Sequence, residues 1–156
     1  DIIRSIPFII LIVLLIPLSR FLVGTGSGVT GSFVALVFGT VPFFARQIES
    51  VLSEIDHGLV EASAAMGFSP RQIIFGVYLR ESIPGITRVT MITFVSFVGI
   101  TAIAGAIGAG GIGDFAIRYG YQMGYRDMIW LTVLIILAII SIFQFFGNMI
   151  IRRTTH

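Results

Sequence analysis

The pattern of hydrophobic and polar positions divides the chain into long apolar runs and one polar segment near its middle. Residues 21–45 and 89–113 contain no charged side chain, whereas residues 46–88 carry nine of the eighteen charged residues. A charge at the centre of a bilayer costs about 2.5–3.5 kcal/mol on insertion scales. The pattern therefore predicts that the polar segment is a water-exposed loop between membrane-spanning helices.

Four apolar stretches predict membrane-spanning helices, each of which needs about 20 residues. They run from near Arg4 to Val23, from about Gly31 to Ala45, from about Ile86 to Ala106, and from Met128 to Ile151. The helical pattern of the second continues through Leu52 into the polar segment. Four spans place both termini on one side, and seven of the ten arginines fall on the side of the polar segment. The predicted fold is an all-α polytopic membrane bundle with this segment in the cytoplasm.

Helix-capping residues predict two short helices inside the polar segment. Asp56 is placed as the N-cap of a helix from His57 to Met66, with Gly67 as the residue that ends it. Ser69-Pro70-Arg71-Gln72 has the order of a capping box at the start of a second helix. Pro84-Gly85 is expected to break that second helix before the next span, which gives a cytoplasmic loop over about residues 53–84.

Composition removes several classes of chemistry. The chain is 56% hydrophobic and 12% charged, about half the charged fraction of soluble proteins, and its net charge of +2 gives no reason to expect nucleic acid as a partner. It contains no Cys and no Lys, so thiolate nucleophiles and Schiff-base lysines are absent. His57 and His156 are the only histidines, and no His/Asp/Glu cluster has ligand spacing. We therefore expect no catalytic residue, no bound metal and no cofactor.

The run Gly108–Gly113 matches the G-x-G-x-x-G pattern of dinucleotide-binding folds. That motif requires a strand before it and a helix opening after it. Here the run follows a predicted membrane helix, so we expect a tight turn or a close packing of backbones rather than a nucleotide site.

The polar segment also carries a spaced motif. Glu61-Ala62-Ser63 is followed after three residues by Gly67, and after nine more by Val77-x-Leu79. This pattern resembles the E-A-A … G … I-x-L-P cytoplasmic loop of ABC importer permease subunits. Three positions depart from it: Ser63 replaces the second alanine, Val77 replaces isoleucine, and Arg80 stands in place of proline.

Other stretches narrow the resemblance to one branch. Gly105–Asp114 and Arg118-Tyr119-Gly120-Tyr121 are similar to the permease subunits of methionine importers, and the similarity covers essentially the whole chain. Members of that family carry a further N-terminal span, typically making five. The resemblance therefore implies that residues 1–156 are a transmembrane domain that lacks its N-terminal part.

The family resemblance implies the partners and the cellular location. We expect a multi-pass subunit of the bacterial inner membrane that forms a homodimer surrounded by lipid. It would work with two copies of a cytoplasmic ATPase subunit and with an extracytoplasmic substrate-binding protein. ATP hydrolysis would belong to the partner, so the chain itself is not expected to be an enzyme.

The resemblance also implies two groups of site residues. In the family, the short helix before the loop glycine sits in a cleft of the ATPase subunit, which assigns docking to Leu59, Val60, Glu61, Ala62, Ala65, Met66 and Gly67. Taken alone, Glu61 is equally compatible with stabilising a first helical turn or pairing with an arginine. Helical spacing along the third span selects residues for the translocation path, with Ile100 or Ile103 closing the gate: Ser96, Gly99, Ile100 and Ile103.

Two alternative functions stay open at this level. The chain could be the permease of another small solute, such as a sulfonate, a betaine or a phosphonate. It could also be a membrane scaffold or channel that transports nothing, in which case no stoichiometric ATPase partner would be found.

Overall fold

The computed structural model describes residues 6–154, which contain α-helices and π-helical segments but no β-strand. The α-helices are α1 (Phe8–Val23), α2 (Gly28–Ser53), α3 (His57–Ala65), α4 (Pro70–Ile73), α5 (Leu79–Ala104), α6 (Gly111–Phe115) and α7 (Arg126–Thr154). Two π-helical segments, Ile74–Tyr78 and Ala116–Gln122, extend α4 and α6. A third, Gly105–Ala109, follows α5 and is interrupted by a kink at Ile107 and Gly108. The all-α prediction is confirmed.

Three helical stretches are long and apolar enough to cross a membrane: α2 with 26 residues, Pro70–Ala109 with 40, and α7 with 29. The stretch Pro70–Ala109 ends in a kink, because Ile107 and Gly108 have non-helical backbone angles. The apolar helix α1 has 16 residues. At 1.5 Å per residue it is about 24 Å long, less than the roughly 30 Å of a hydrocarbon core. The predicted start of this span near Arg4 lies outside the described residues.

The prediction that Pro84-Gly85 ends a short helix is wrong. The helix that begins at Pro70 passes through both residues and continues to the end of α5. Pro84 has no backbone N–H, so the carbonyl of Arg80, four residues earlier, loses its helical hydrogen bond. Arg80 is exposed to solvent. A Cβ on Gly85 would lie 2.5 Å from Cγ1 of Val51, so α5 packs closely on α2 at this point. This tertiary packing outweighs the local tendency of Pro-Gly to break a helix.

The backbone divides into two compact units. The first comprises the chain up to Phe43 together with Thr93–Ile142. Its buried side chains are mostly small or hydroxylated, as expected where helices approach closely without a hydrophobic driving force. They include Leu11, Ser19, Ser32, Val34, Ala35, Leu36, Thr93, Ala104, Ala109 and Thr132.

The second unit comprises Phe44–Ile92 and the chain from Phe143 onward. Close approach again depends on glycine, because a Cβ on Gly147 would overlap the side chain of Met91. The buried side chains of this unit are few and include Ser63, Val77, Ser82 and Val89. Most of the polar segment therefore stays accessible.

Candidate functional site

Helix α3 is bounded at both ends by interactions within its own sequence. Asp56 caps the start, where its Oδ1 accepts a hydrogen bond from the Gly58 N–H at 2.8 Å. At the other end Gly67 adopts φ +83°, and its N–H donates to the Ala64 carbonyl at 3.0 Å. The Phe68 N–H donates to the Ser63 carbonyl at 3.2 Å, which completes a Schellman motif. The predicted helix is confirmed, with Ala65 as its last residue.

A second cap, at Ser69, starts the next helix at Pro70. The Gln72 N–H donates to Ser69 Oγ at 3.4 Å, and Gln72 Oε1 accepts from the Ser69 N–H at 2.8 Å. This reciprocal pair is the predicted capping box, with Pro70 at the first helical position.

The predicted docking residues lie on an outward surface of α3. The side chain of Met66 is 68% exposed and that of Leu59 is 42% exposed. Val60 is half-buried by the rest of the chain, so it contributes least to this surface. Ser63 is only 4% exposed, and its hydroxyl donates to the Leu59 carbonyl at 2.8 Å. We call the exposed members the docking face: Leu59, Glu61, Ala62, Ala65, Met66 and Gly67.

The side chain of Glu61 has neither of the local roles that its sequence position allows. Glu61 lies beyond the first turn of α3, which contains no acidic residue. Within residues 6–154 its carboxylate forms no ion pair; the pairs found there are Arg46–Glu49 and Arg118–Asp114. An exposed carboxylate without a partner in this part of the chain is available to a cation on another protein.

The predicted path residues on α5 separate into two pairs. Ser96 and Ile100 line a cavity of about 440 Å³ in the first unit. Gly99 and Ile103 do not line it; Ile103 is 43% exposed, and nothing lies within 4 Å of a Cβ built on Gly99. The structure therefore brings half of the predicted set to one site.

Most walls of this cavity, which we call the Ser96 cavity, were missed by sequence reasoning. They come from the beginning of α1, the middle of α2 and the residue after Ser96, and include Phe8, Leu11, Thr40, Phe43 and Phe97. Phe97 escapes a spacing argument because it lies about 100° around the helix from Ser96. The hydroxyl of Thr40, a polar residue within an apolar stretch, is the one sequence signal that could have indicated the cavity.

The glycine run after α5 folds as a tight turn. Gly108 has φ +92°, and a Cβ on Gly105 would lie 2.6 Å from the Asp114 nitrogen. A Cβ on Gly113 would overlap the Ala102 carbonyl. The expected close packing of backbones is confirmed, and the run follows a helix rather than the strand that a dinucleotide site requires.

Residues 6–154 contain no group of three or more His, Asp or Glu residues that could hold an ion.

Comparison with known families decides the class of protein. Residues 1–156 match the sequence model of the family described as "Binding-protein-dependent transport system inner membrane component". The chain belongs to this family. It is accordingly a multi-pass protein of the bacterial inner membrane, and the location that the family resemblance implied is confirmed.

Individual relatives within this transport family make the comparison more specific. The chain is 43% identical over 153 residues to the "Probable D-methionine transport system permease protein MetI" of Vibrio cholerae, which covers 98% of this chain and 68% of that protein. It is 44% identical over 150 residues to the "Methionine import system permease protein MetP" of Bacillus subtilis, covering 96% and 68%.

A solved structure gives the same likeness in three dimensions. A chain of the "MetNI methionine ABC transporter" in an inward-facing conformation superimposes with a TM-score of 0.88 at 43% identity. The match covers 99% of this chain and 72% of that one. The predicted ABC importer permease fold is confirmed.

Proposed function

We propose that this chain is the membrane-spanning permease subunit of an ATP-driven methionine importer. The observation that carries the proposal is the identity of 43% and 44%, over nearly the whole chain, to two permeases named for methionine. The likeness to the methionine ABC transporter, with a TM-score of 0.88, supports it from the fold.

The transporter has three kinds of subunit in this proposal. Two copies of this chain form the membrane path, two copies of a cytoplasmic ATPase subunit hydrolyse ATP, and an external binding protein delivers the substrate. The family description, which names binding-protein-dependent transport, supports the external partner. The ABC transporter likeness supports the ATPase.

The docking face is proposed to sit in a cleft of the ATPase subunit. Its apolar members, Leu59 and Met66, supply contact area, and Glu61 supplies a charge contact. Both ends of α3 are held by hydrogen bonds within residues 56–68, so the helix keeps its form while exposed. A rigid exposed helix is suited to transmit the closing of an ATPase pair as a rigid-body movement.

The helix that begins at Pro70 could carry that movement from the polar loop into the membrane, because it is continuous. From Pro70 to Ala104 the helix has no break, and the path residues Ser96 and Ile100 belong to it. The absence of the expected break at Pro84 therefore favours mechanical coupling between the loop and the third span. Ile100 or Ile103 is proposed to close the gate by apolar contact, with Ser96 and Gly99 beside it.

Reconstituted transport tests the function directly. The complete transporter in proteoliposomes is expected to take up labelled methionine only with ATP and the binding protein. Excess unlabelled methionine should abolish this uptake, whereas a sulfonate, betaine or phosphonate should not. If one of those solutes competed and methionine did not, that solute would replace methionine as the proposed substrate. If the full-length protein purified without any ATPase subunit, the result would favour a scaffold or channel instead.

A further inference from the structure

The Ser96 cavity brings predicted path residues together with side chains from other helices. We infer that it is a subsite for the thioether side chain of the transported amino acid; the inference rests on the proposed function. Its volume of about 440 Å³ is within the range of roughly 300–1,000 Å³ that small-molecule pockets occupy.

The lining suits a thioether. Three phenylalanine rings contribute to it, Phe8 from α1, Phe43 from α2 and Phe97 from α5. A polarisable thioether sulfur makes favourable contacts with aromatic rings, often at the ring edge, which a methylene group in its place does not reproduce. Three rings around one cavity therefore favour methionine over an isosteric hydrocarbon side chain.

The hydroxyl of Ser96 distinguishes this position from its neighbours on the same helix. The hydroxyls of Ser82, Thr87, Thr90 and Thr101 each donate to a backbone carbonyl three or four residues earlier. Among the described residues nothing accepts from Ser96, which leaves a donor at the cavity wall. The Thr93 hydroxyl, on the same helix, also has no hydrogen-bond partner, but Thr93 does not line the cavity. A thioether sulfur is a weak acceptor that such a donor can meet.

The charges of the substrate indicate how much of it the subsite holds. No charged side chain lines the cavity among the residues that the structure describes. Burying the ammonium and carboxylate groups there without partners would be costly. The subsite therefore holds the apolar side chain, while the charged end of the amino acid stays in water. Modest affinity follows, as a site on a transport path requires.

A cysteine reporter tests occupancy in the complete transporter. Residues 1–156 contain no Cys, so Ser96→Cys introduces a single thiol here, to be combined with a Cys-free background in the rest of the transporter. We expect a small water-soluble thiol reagent to label it and methionine to slow labelling several-fold. Thr40→Cys is a second reporter at the cavity. Ser53→Cys, on an exposed residue at the end of α2, is the control that methionine should not protect.

The sulfur contribution is measured with norleucine, in which a methylene group replaces the sulfur. We expect norleucine to protect the thiol of the Ser96→Cys variant less than methionine does, and Phe97→Leu to reduce that difference. Phe38→Leu removes a ring from α2 outside the cavity and should leave the difference unchanged. Equal protection by both amino acids in the otherwise unaltered reporter would overturn the thioether assignment.

Two further outcomes separate this inference from the proposed function. Methionine uptake that persists in the Ser96→Cys and Thr40→Cys transporters, without protection of either thiol, would overturn the subsite and leave the function intact. Labelling by a lipid-soluble maleimide alone would also overturn it, because the cavity would then open to lipid. Absence of methionine uptake by the unaltered transporter would overturn the function itself.

Discussion

Gly67 in the polar loop and Gly113 in the glycine run are both positions that favour glycine, but for different reasons. Gly67 has φ +83°, and nothing lies within 4 Å of a Cβ built on it. Gly113 has no positive φ, yet a Cβ there would lie closer than 3.0 Å to three backbone atoms of Ala102. The first glycine is favoured by its own backbone conformation, and the second is required by the backbone of a neighbouring helix.

The same contrast extends to the regions around them. The polar loop is shaped by the Asp56 cap, the Schellman motif and the Ser69 capping box, all of which act within a few residues. The glycine run is shaped by packing against α5. A region held by local hydrogen bonds keeps its form while exposed, as a docking surface must. A region held by packing loses its form when the packing is disturbed.

The largest effect is expected from Gly113→Ala. The added methyl group would overlap the Ala102 carbonyl, and overpacking of this kind costs about 1–3 kcal/mol. The thermal unfolding midpoint of the purified transporter should fall. The matched control is Gly76→Ala, at a glycine with open space and no positive φ, which should be neutral or slightly stabilising. Equal midpoints for the two variants would mean that the close packing does not hold in solution.

Gly67→Val should have the next largest effect. A left-handed conformation costs an L-residue about 1–2 kcal/mol, so valine should distort the exit from α3. We expect weaker association with the ATPase subunit and slower uptake, measured by copurification and by transport in proteoliposomes. Gly67→Asn should retain more of both, because Asn tolerates this conformation better. Undiminished coupling in the valine variant would remove the docking hypothesis.

Asp56→Ala should have a smaller effect, confined to the loop. Loss of the N-cap typically costs about 1 kcal/mol, and the Gly58 N–H loses its acceptor. Amide hydrogen exchange at Gly58 and Leu59 should accelerate. Asp56→Asn keeps a side-chain oxygen and should exchange nearly as slowly as the unaltered protein. If the alanine variant exchanged no faster, the helix start would be held by something other than this cap.

The smallest effect is expected from Asp114→Asn, beside the glycine run. The Asp114–Arg118 pair is 2.8 Å long, spaced i,i+4, and its arginine is 60% exposed. Such pairs contribute about 0.3–0.5 kcal/mol and are weakened by salt. The midpoint should therefore fall slightly at low ionic strength and not at all at high ionic strength. A loss as large as that of Gly113→Ala would show that the ion pair, rather than the packing, shapes the turn.

Features of the fold could be predicted from the sequence where the interacting residues lie close together along the chain. The helix ends at Asp56, Gly67 and Ser69 were predicted because each cap joins atoms no more than five residues apart. The break expected at Pro84 used equally local chemistry and was wrong, since Gly85 packs on Val51 from a different helix. Local rules fail where a distant residue supplies the stronger interaction.

The Ser96 cavity shows the same limit at the candidate site. Ser96 and Ile100 were predicted from spacing along one helix, which periodicity can provide. Phe8 and Phe43 come from parts of the chain more than fifty residues away, and no pattern near Ser96 indicates them. The walls of a cavity depend on which helices meet, which is a property of the packing.

By itself the sequence determined the membrane class, the positions of the main helices and the form of the exposed loop. Charge distribution, apolar length and capping chemistry act along the chain and are strong enough to decide these features locally. Only the tertiary structure decided that the helix continues past Pro84, that the glycine run packs against Ala102, and that three phenylalanine rings line one cavity together with Ser96. Each of these depends on close contact between helices, where the space available at one residue is set by another that is distant along the chain.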